Sequence, residues 1–202
     1  MSFANYLTFF RIFISPIFLL IYLEYETFNI SLVSLPYVLL FLLGISELSD
    51  ALDGYFARKF NEVTAFGKLL DPMADSIYRI SIFLTFTLHP IKLPMILIFI
   101  FIYRDSVISM LRTVCALKGF ALAARPSGKL KAIVQAFAAL LIILLLIPYT
   151  MGLLSLESLQ STSMIIVSIA AIYTVVSGID YLIANRHYIS KALITKQVSA
   201  EG

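Results

Sequence analysis

Charge is scarce in this chain of 202 residues, cysteine occurs once and histidine twice, and each shortage excludes something. Charged residues make up 13% and hydrophobic ones 60%, with a mean hydropathy of +0.96. Water-soluble domains average about 45–50% apolar and about 25% charged, so this balance calls for another solvent. Bilayer hydrocarbon is the obvious one. The lone Cys115 cannot close an internal disulfide and lies in an apolar run, where it reads as an ordinary core residue. His89 and His187 stand at the ends of apolar runs, so a histidine-based metal site is not expected. The N-terminus has neither a basic leader nor a small-residue cleavage site, so its apolar stretch is expected to stay. Repeats, low-complexity tracts and linkers are also missing, and the length suits one domain over 1–202. The net charge of +3 carries no nucleic-acid message.

What the chain has is long apolar runs. A membrane-spanning helix needs about 20 mostly apolar residues. Six runs qualify: Tyr6–Leu23, Ser34–Leu52, Leu70–Leu88, Leu93–Cys115, Ala132–Tyr149 and Met164–Ala184. They lack period-two alternation, which favours helices over barrel strands. The expected fold is an all-α integral membrane protein, a bundle of six transmembrane helices. Basic residues orient it. Arg58, Lys59 and Lys68 follow the second run, Lys118, Arg125, Lys129 and Lys131 the fourth, and Arg186, Lys191 and Lys196 lie in the tail. The opposite connections, around Glu24, Glu26 and Glu157, carry no Lys or Arg, and only Lys92 breaks the pattern. The positive-inside rule then puts both termini in the cytoplasm, and the basic rim suits anionic lipid headgroups. From Asn185 onward, Tyr188, Ile189, Leu193 and Ile194 interleave with basic residues, a pattern that predicts a short interfacial helix in a cytoplasmic tail.

Acidic residues concentrate where the second run ends and the third begins. Asp50 and Asp53 are three apart, and Asp71 and Asp75 four apart, so on helices each pair shares one face. The short connection makes the two helices antiparallel neighbours and brings both pairs to similar depth at the cytoplasmic surface. Four carboxylates in a low-dielectric setting stay ionised only if cations neutralise them. All-oxygen donors select Mg²⁺ or Mn²⁺, and four aspartates can hold two such ions, an arrangement used for phosphoryl displacement. Gly54, Ala57 and Gly67 leave room for a bulky ligand, and Arg58 supplies a forked cation suited to a pyrophosphate. Two blander readings compete. The aspartates could be rim residues paired with Arg58, Lys59 and Lys68, or the ion pathway of a small cation transporter. Clustering at one rim speaks against the pathway.

The run Asp50-x2-Asp53-Gly54-x2-Ala57-Arg58-x8-Gly67-x3-Asp71-x3-Asp75 resembles the signature of the CDP-alcohol phosphotransferases, with every fixed position filled. That resemblance implies a six-helix membrane bundle, usually homodimeric, in the inner membrane of a bacterium with its active site facing the cytoplasm. It also implies a CDP-activated lipid as donor and CMP as product. By the same resemblance Asp50, Asp53 and Asp71 bind metal, Asp75 binds metal and is the base on the acceptor hydroxyl, and Gly54, Ala57 and Arg58 line the cytidine-diphosphate site. On chemistry alone Asp71 and Asp75 are equivalent candidates for the base.

The acceptor is read from other segments. Asn5-x2-Thr8-x2-Arg11 resembles the opening of bacterial phosphatidylglycerophosphate synthases, and its polar positions fall along one helical face. Asn5 and Thr8 join the expected donor site with Asp50 and Gly67. Their alternative reading is a helix cap and a rim arginine. Arg104, Arg112, Lys129 and Lys131 could form a cationic pocket for a phosphorylated alcohol such as glycerol 3-phosphate. They could equally be a local Arg104–Asp105 pair and ordinary cytoplasmic anchors. Arg104-Asp105-x6-Arg112, Ser127-Gly128-Lys129-x-Lys131 and Ser177-Gly178-x-Asp180-Tyr181 resemble the same synthases and tilt the choice to glycerol 3-phosphate. Inositol phosphate, serine and phosphatidylglycerol are the other candidate acceptors. Many relatives carry Lys directly after the last aspartate, where this chain has Ser76, with Arg79 one turn later.

Overall fold

Each apolar run becomes a helix, and proline, serine and glycine mark several of the ends. A computed structural model of the chain describes residues 3–59, 65–119, 122 and 125–194, with side chains over 10–50, 52, 72–119, 122 and 125–191. It holds α1 (Phe3–Leu23), α2 (Leu35–Lys59), α3 (Ala65–Thr85), α4 (Met95–Leu117), α5 (Pro126–Thr150) and α6 (Leu156–Ile194), and no strand among the described residues. Pro94 precedes α4 in an extended conformation, and Pro126 opens α5, where a missing N–H costs nothing. Ser155 caps α6 by accepting the Ser158 N–H at 3.1 Å. Gly119 and Gly152 follow α4 and α5 at φ +78° and +73°, a left-handed backbone that glycine adopts without a Cβ clash.

The helices run past the apolar stretches that announced them. The carboxylate segments lie wholly within helices, since α2 continues to Lys59 and α3 begins at Ala65. The tail helix expected after Asn185 is not separate: α6 continues unbroken to Ile194, with neither glycine nor proline between Gly178 and Ile194 to stop it. At 39 residues it is about 58 Å long, roughly twice the hydrocarbon thickness of a bilayer.

Packing divides the bundle into two halves. α1 lies against α2 and α3, and α6 lies against α4 and α5. The halves meet where α2 touches α5 and where α3 touches α4 and α5. The apolar core sits two to three turns beyond the acidic segment of α3. There Phe83 and Phe86 meet edge-on at 6.2 Å, Phe18 of α1 meets Phe86 at 6.1 Å, and Phe101 of α4 lies 4.9 Å from Phe83.

By length and composition α5 and α6 are apolar enough to cross a bilayer, and α1 holds a shorter apolar stretch, Phe10–Leu23. The remaining helices carry charge in their interiors, at Glu47, Asp50, Asp75, Arg79, Arg104, Asp105 and Arg112. Large apolar side chains also face outward, among them Phe13, Phe41, Ile96, Ile133 and Ile172, each about two-thirds exposed.

Candidate active site

A charge inside an apolar helix must find a partner, because an unpaired buried ion is costly. Arg11 of α1 is 1% exposed. Its Nη1 lies 2.8 Å from Asp50 Oδ1 on α2 and also donates to Asp75 Oδ1 on α3. Carboxylates from two helices thus converge on one nitrogen, and the guanidinium offsets their mutual repulsion. Arg79, one turn after Asp75, places Nη2 3.3 Å from Asp75 Oδ2.

The described donors, Asp50 and Asp75, are of the type a hard divalent ion takes. Hard carboxylate oxygens from adjacent helices already share one cationic point, which is the preference of Mg²⁺ or Mn²⁺. Asp53 and Asp71 lie one turn from Asp50 and Asp75 on α2 and α3. Their side chains, with those of Asn5, Thr8, Ala57 and Arg58, and the surroundings of Gly54 and Gly67, lie outside the described residues. Among the described side chains no group of three or more His, Cys, Asp or Glu gathers.

Across the seam the signs reverse. Asp105 of α4 is 8% exposed, and both its oxygens lie 2.7 Å from Lys131 Nζ on α5. Arg104 Nη1 donates to its Oδ1 at 3.0 Å, and Ser76 of α3 donates to its Oδ2 at 3.0 Å. One carboxylate therefore ties α3, α4 and α5 together. Arg104 also donates from Nη2 to Ser177 of α6 at 3.2 Å and passes close to Gly178, where a Cβ would stand 3.1 Å from Arg104 Cγ. A side chain at 178 would make Arg104 give way by a few tenths of an ångström. Arg112 lies over the Tyr181 ring, 5.3 Å from its centre, and donates to the phenol oxygen at 3.2 Å. At the mouth of α5, Arg125 and Ser127 both donate to Asp180 of α6.

Two cavities meet between the halves. The first, about 660 Å³ between α3, α4 and α5, is lined by Asp75, Arg79, Arg104, Arg112, Arg125, Lys129 and Lys131. The second, about 650 Å³ between α2, α3 and α5, has Glu47, Asp50 and Asp75 beside Leu40, Phe137 and Leu140. Asp75, Arg79, Lys129 and Ala132 line both. Asp75 stands in the wall between a cation-rich chamber and one that is acidic at one end and apolar at the other.

Arg104, Arg112, Lys129 and Lys131, expected together, all line the first cavity. Their states differ. Arg104 pairs with Asp105, as its blander reading expected, and also lines the cavity. Lys131 is engaged by Asp105, whereas the exposed Lys129 ammonium has no acceptor among the described residues. Sequence reasoning considered Arg79 only as a stand-in for the Lys that many relatives carry at Ser76, and gave no site role to Arg11, Asp105 or Asp180. The available signal was charge within an apolar run, which implies a partner without naming it.

Acidic and cationic helices meeting at one carboxylate agree with the signature on α2 and α3, and the chain belongs to the CDP-alcohol phosphatidyltransferase family, whose sequence pattern matches residues 1–176. Among similar proteins is a CDP-diacylglycerol–glycerol-3-phosphate 3-phosphatidyltransferase of Rickettsia typhi. It is 35% identical over 186 residues, covering 91% of this chain and 97% of the relative. The Bacillus subtilis enzyme of the same name is 32% identical over 192 residues, covering 90% of this chain and 93% of its own. The Treponema pallidum enzyme of that name is 30% identical over 153 residues, covering 74% of this chain and 69% of its own.

Proposed function

We propose that the chain transfers the phosphatidyl group of CDP-diacylglycerol to glycerol 3-phosphate and releases CMP, a step of phospholipid biosynthesis. The observation that carries this reading is the meeting of the two cavities at Asp75. An acidic chamber with apolar walls suits a lipid pyrophosphate presented with cations. A chamber of arginines and lysines suits an acceptor that itself bears a phosphate. The names of the relatives point to the same pair of substrates.

In this reading Asp50, Asp53, Asp71 and Asp75 hold two Mg²⁺ or Mn²⁺ ions. When bound, the ions neutralise phosphate oxygens and the charge that develops on them. Asn5, Thr8, Asp50, Gly54, Ala57, Arg58 and Gly67 hold the cytidine diphosphate, and Arg104, Arg112, Lys129 and Lys131 the acceptor phosphate. Asp75 receives the proton of the acceptor hydroxyl. The hydroxyl oxygen bonds to the phosphorus that carries diacylglycerol, and the bond from that phosphorus to the CMP oxygen breaks. The protein works as a single domain within a bacterial inner membrane, crossing it six times with both termini and the active site on the cytoplasmic side. Outward-facing apolar residues on α1, α2, α4, α5 and α6 support the lipid setting. A homodimer is the proposed assembly.

The test is a panel of acceptors incubated with CDP-diacylglycerol and Mg²⁺ or Mn²⁺ in detergent, the lipid product being identified by mass. Phosphatidylglycerophosphate and CMP are the expected products, and a chelator is expected to stop both. Turnover with inositol phosphate, serine or phosphatidylglycerol alone would move the protein to another branch of the family. Cation flux in vesicles without CMP release would make it a transporter.

A further inference from the structure

The signature ends at Asp75, and Arg79 lies one turn beyond it with a side chain only 14% exposed. Its bonding is sparse for a buried arginine. Nη2 reaches Asp75 Oδ2 at 3.3 Å, longer than the roughly 2.7–2.9 Å of a firm charge-assisted bond. Nε is buried and meets no acceptor among the described residues. Arg104 Nε is likewise buried without an acceptor among the described residues, but each of Arg104's two terminal nitrogens meets an oxygen, and Arg79 has only the one long contact from Nη2. A buried donor without an acceptor costs stability and calls for an explanation.

Position supplies one. Arg79 lines both cavities, beside the carboxylate that stands between them. The guanidinium therefore borders whatever occupies either chamber. A transferring phosphoryl group spreads negative charge over its non-bridging oxygens, and a planar fork of N–H donors matches that arrangement better than a point charge.

We infer that Arg79 is a catalytic residue that binds the non-bridging oxygens of the phosphoryl group in transfer, giving up Asp75 Oδ2 to do so. The inference rests on the transferase reading above. As the acceptor oxygen bonds to phosphorus and the bond to CMP breaks, CMP carries away the electron pair. The hydroxyl proton passes to Asp75, the base of the functional reading.

The full chain is assayed in lipid–detergent micelles with CDP-diacylglycerol, Mg²⁺ and glycerol 3-phosphate. Arg79→Ala is expected to lower kcat about 100-fold or more, with the acceptor KM within about threefold of the wild type. CDP-diacylglycerol should still protect the variant against thermal unfolding. Added guanidinium should restore turnover about tenfold and methylammonium should not, because a planar fork is required. Arg79→Lys, which keeps the charge and the fold, should stay about tenfold or more below the wild type. A kcat within about threefold of the wild type overturns the inference. So does loss of donor protection together with activity, or equal rescue by methylammonium, each of which marks a structural counter-charge. A wild type that makes no phosphatidylglycerophosphate overturns the functional reading instead. Arg79 is then judged by the same variants with whichever acceptor the wild type uses.

Discussion

The two halves of the bundle treat buried charge in opposite ways. In α1–α3 a cation, Arg11, lies between the carboxylates of Asp50 and Asp75. In α4–α6 a carboxylate, Asp105, lies between Lys131 and Arg104, and another, Asp180, receives Arg125 and Ser127. Each half keeps an excess of one sign and turns it toward the seam. An acidic face can take cations and a cationic face can take phosphate, which is the division that the proposed function uses. Depth separates the pairs further. The Lys131–Asp105 pair is 6% exposed on both sides, whereas the Arg125–Asp180 pair is 41% and 37% exposed. The first is a fixed junction, and the second is a strap at the surface.

The comparison can be broken first at the acidic half. Asp75→Asn keeps shape but cannot accept the proton, and turnover should fall about 10³-fold or more. Gel filtration and the melting temperature in detergent should stay near the wild type. Loss of the fold instead would mean that Arg11 needs Asp75 to be buried at all.

Asp105→Asn attacks the cationic half. It strands Lys131 and Arg104 without their counter-charge and should cost about 3–5 kcal/mol, read as a large drop in thermal stability. Adding Lys131→Met to Asp105→Asn should recover most of the loss, since removing both partners is far milder than removing one. An Asp105→Asn protein as stable as the wild type would erase the contrast between junction and strap.

Gly178→Ala sharpens the comparison without removing a charge. The methyl would meet Arg104 Cγ at 3.1 Å, and the Arg104 side chain must give by a few tenths of an ångström there. The KM for glycerol 3-phosphate should rise about fivefold, near 1 kcal/mol, while the KM for CDP-diacylglycerol stays unchanged. Equal effects on both substrates would mean that the cavities do not divide donor from acceptor. The smallest change belongs to Asp180→Asn, because exposed pairs contribute little. Its melting temperature should fall by less than that of Asp105→Asn, measured side by side.

Much of the helical architecture was legible from the chain. Runs of about 20 apolar residues announce helices, and the structure places a helix over each of the six. The ends were less legible. Hydropathy stops at the first charges, whereas backbone hydrogen bonding carries α2 on to Lys59 and α6 on to Ile194. At the site, the acidic spacing was plain, and the four cations assigned to the acceptor do share a cavity. The bonds among them were not plain. Arg104 and Arg112 look alike in sequence, yet one joins a carboxylate and a serine while the other lies on a tyrosine ring.

By itself the sequence determined the helices, the acidic pairs one turn apart, and the family. Each of these depends on short-range spacing or on residue identity read along the chain. The tertiary structure alone decided that Arg11 reaches Asp75 across 64 positions, that Asp105 takes Lys131, and that Arg79 borders both chambers. Charges choose partners by distance and burial, and those are set by which helices pack together. The period of a single helix tells which residues share a face, but not which neighbour that face will meet.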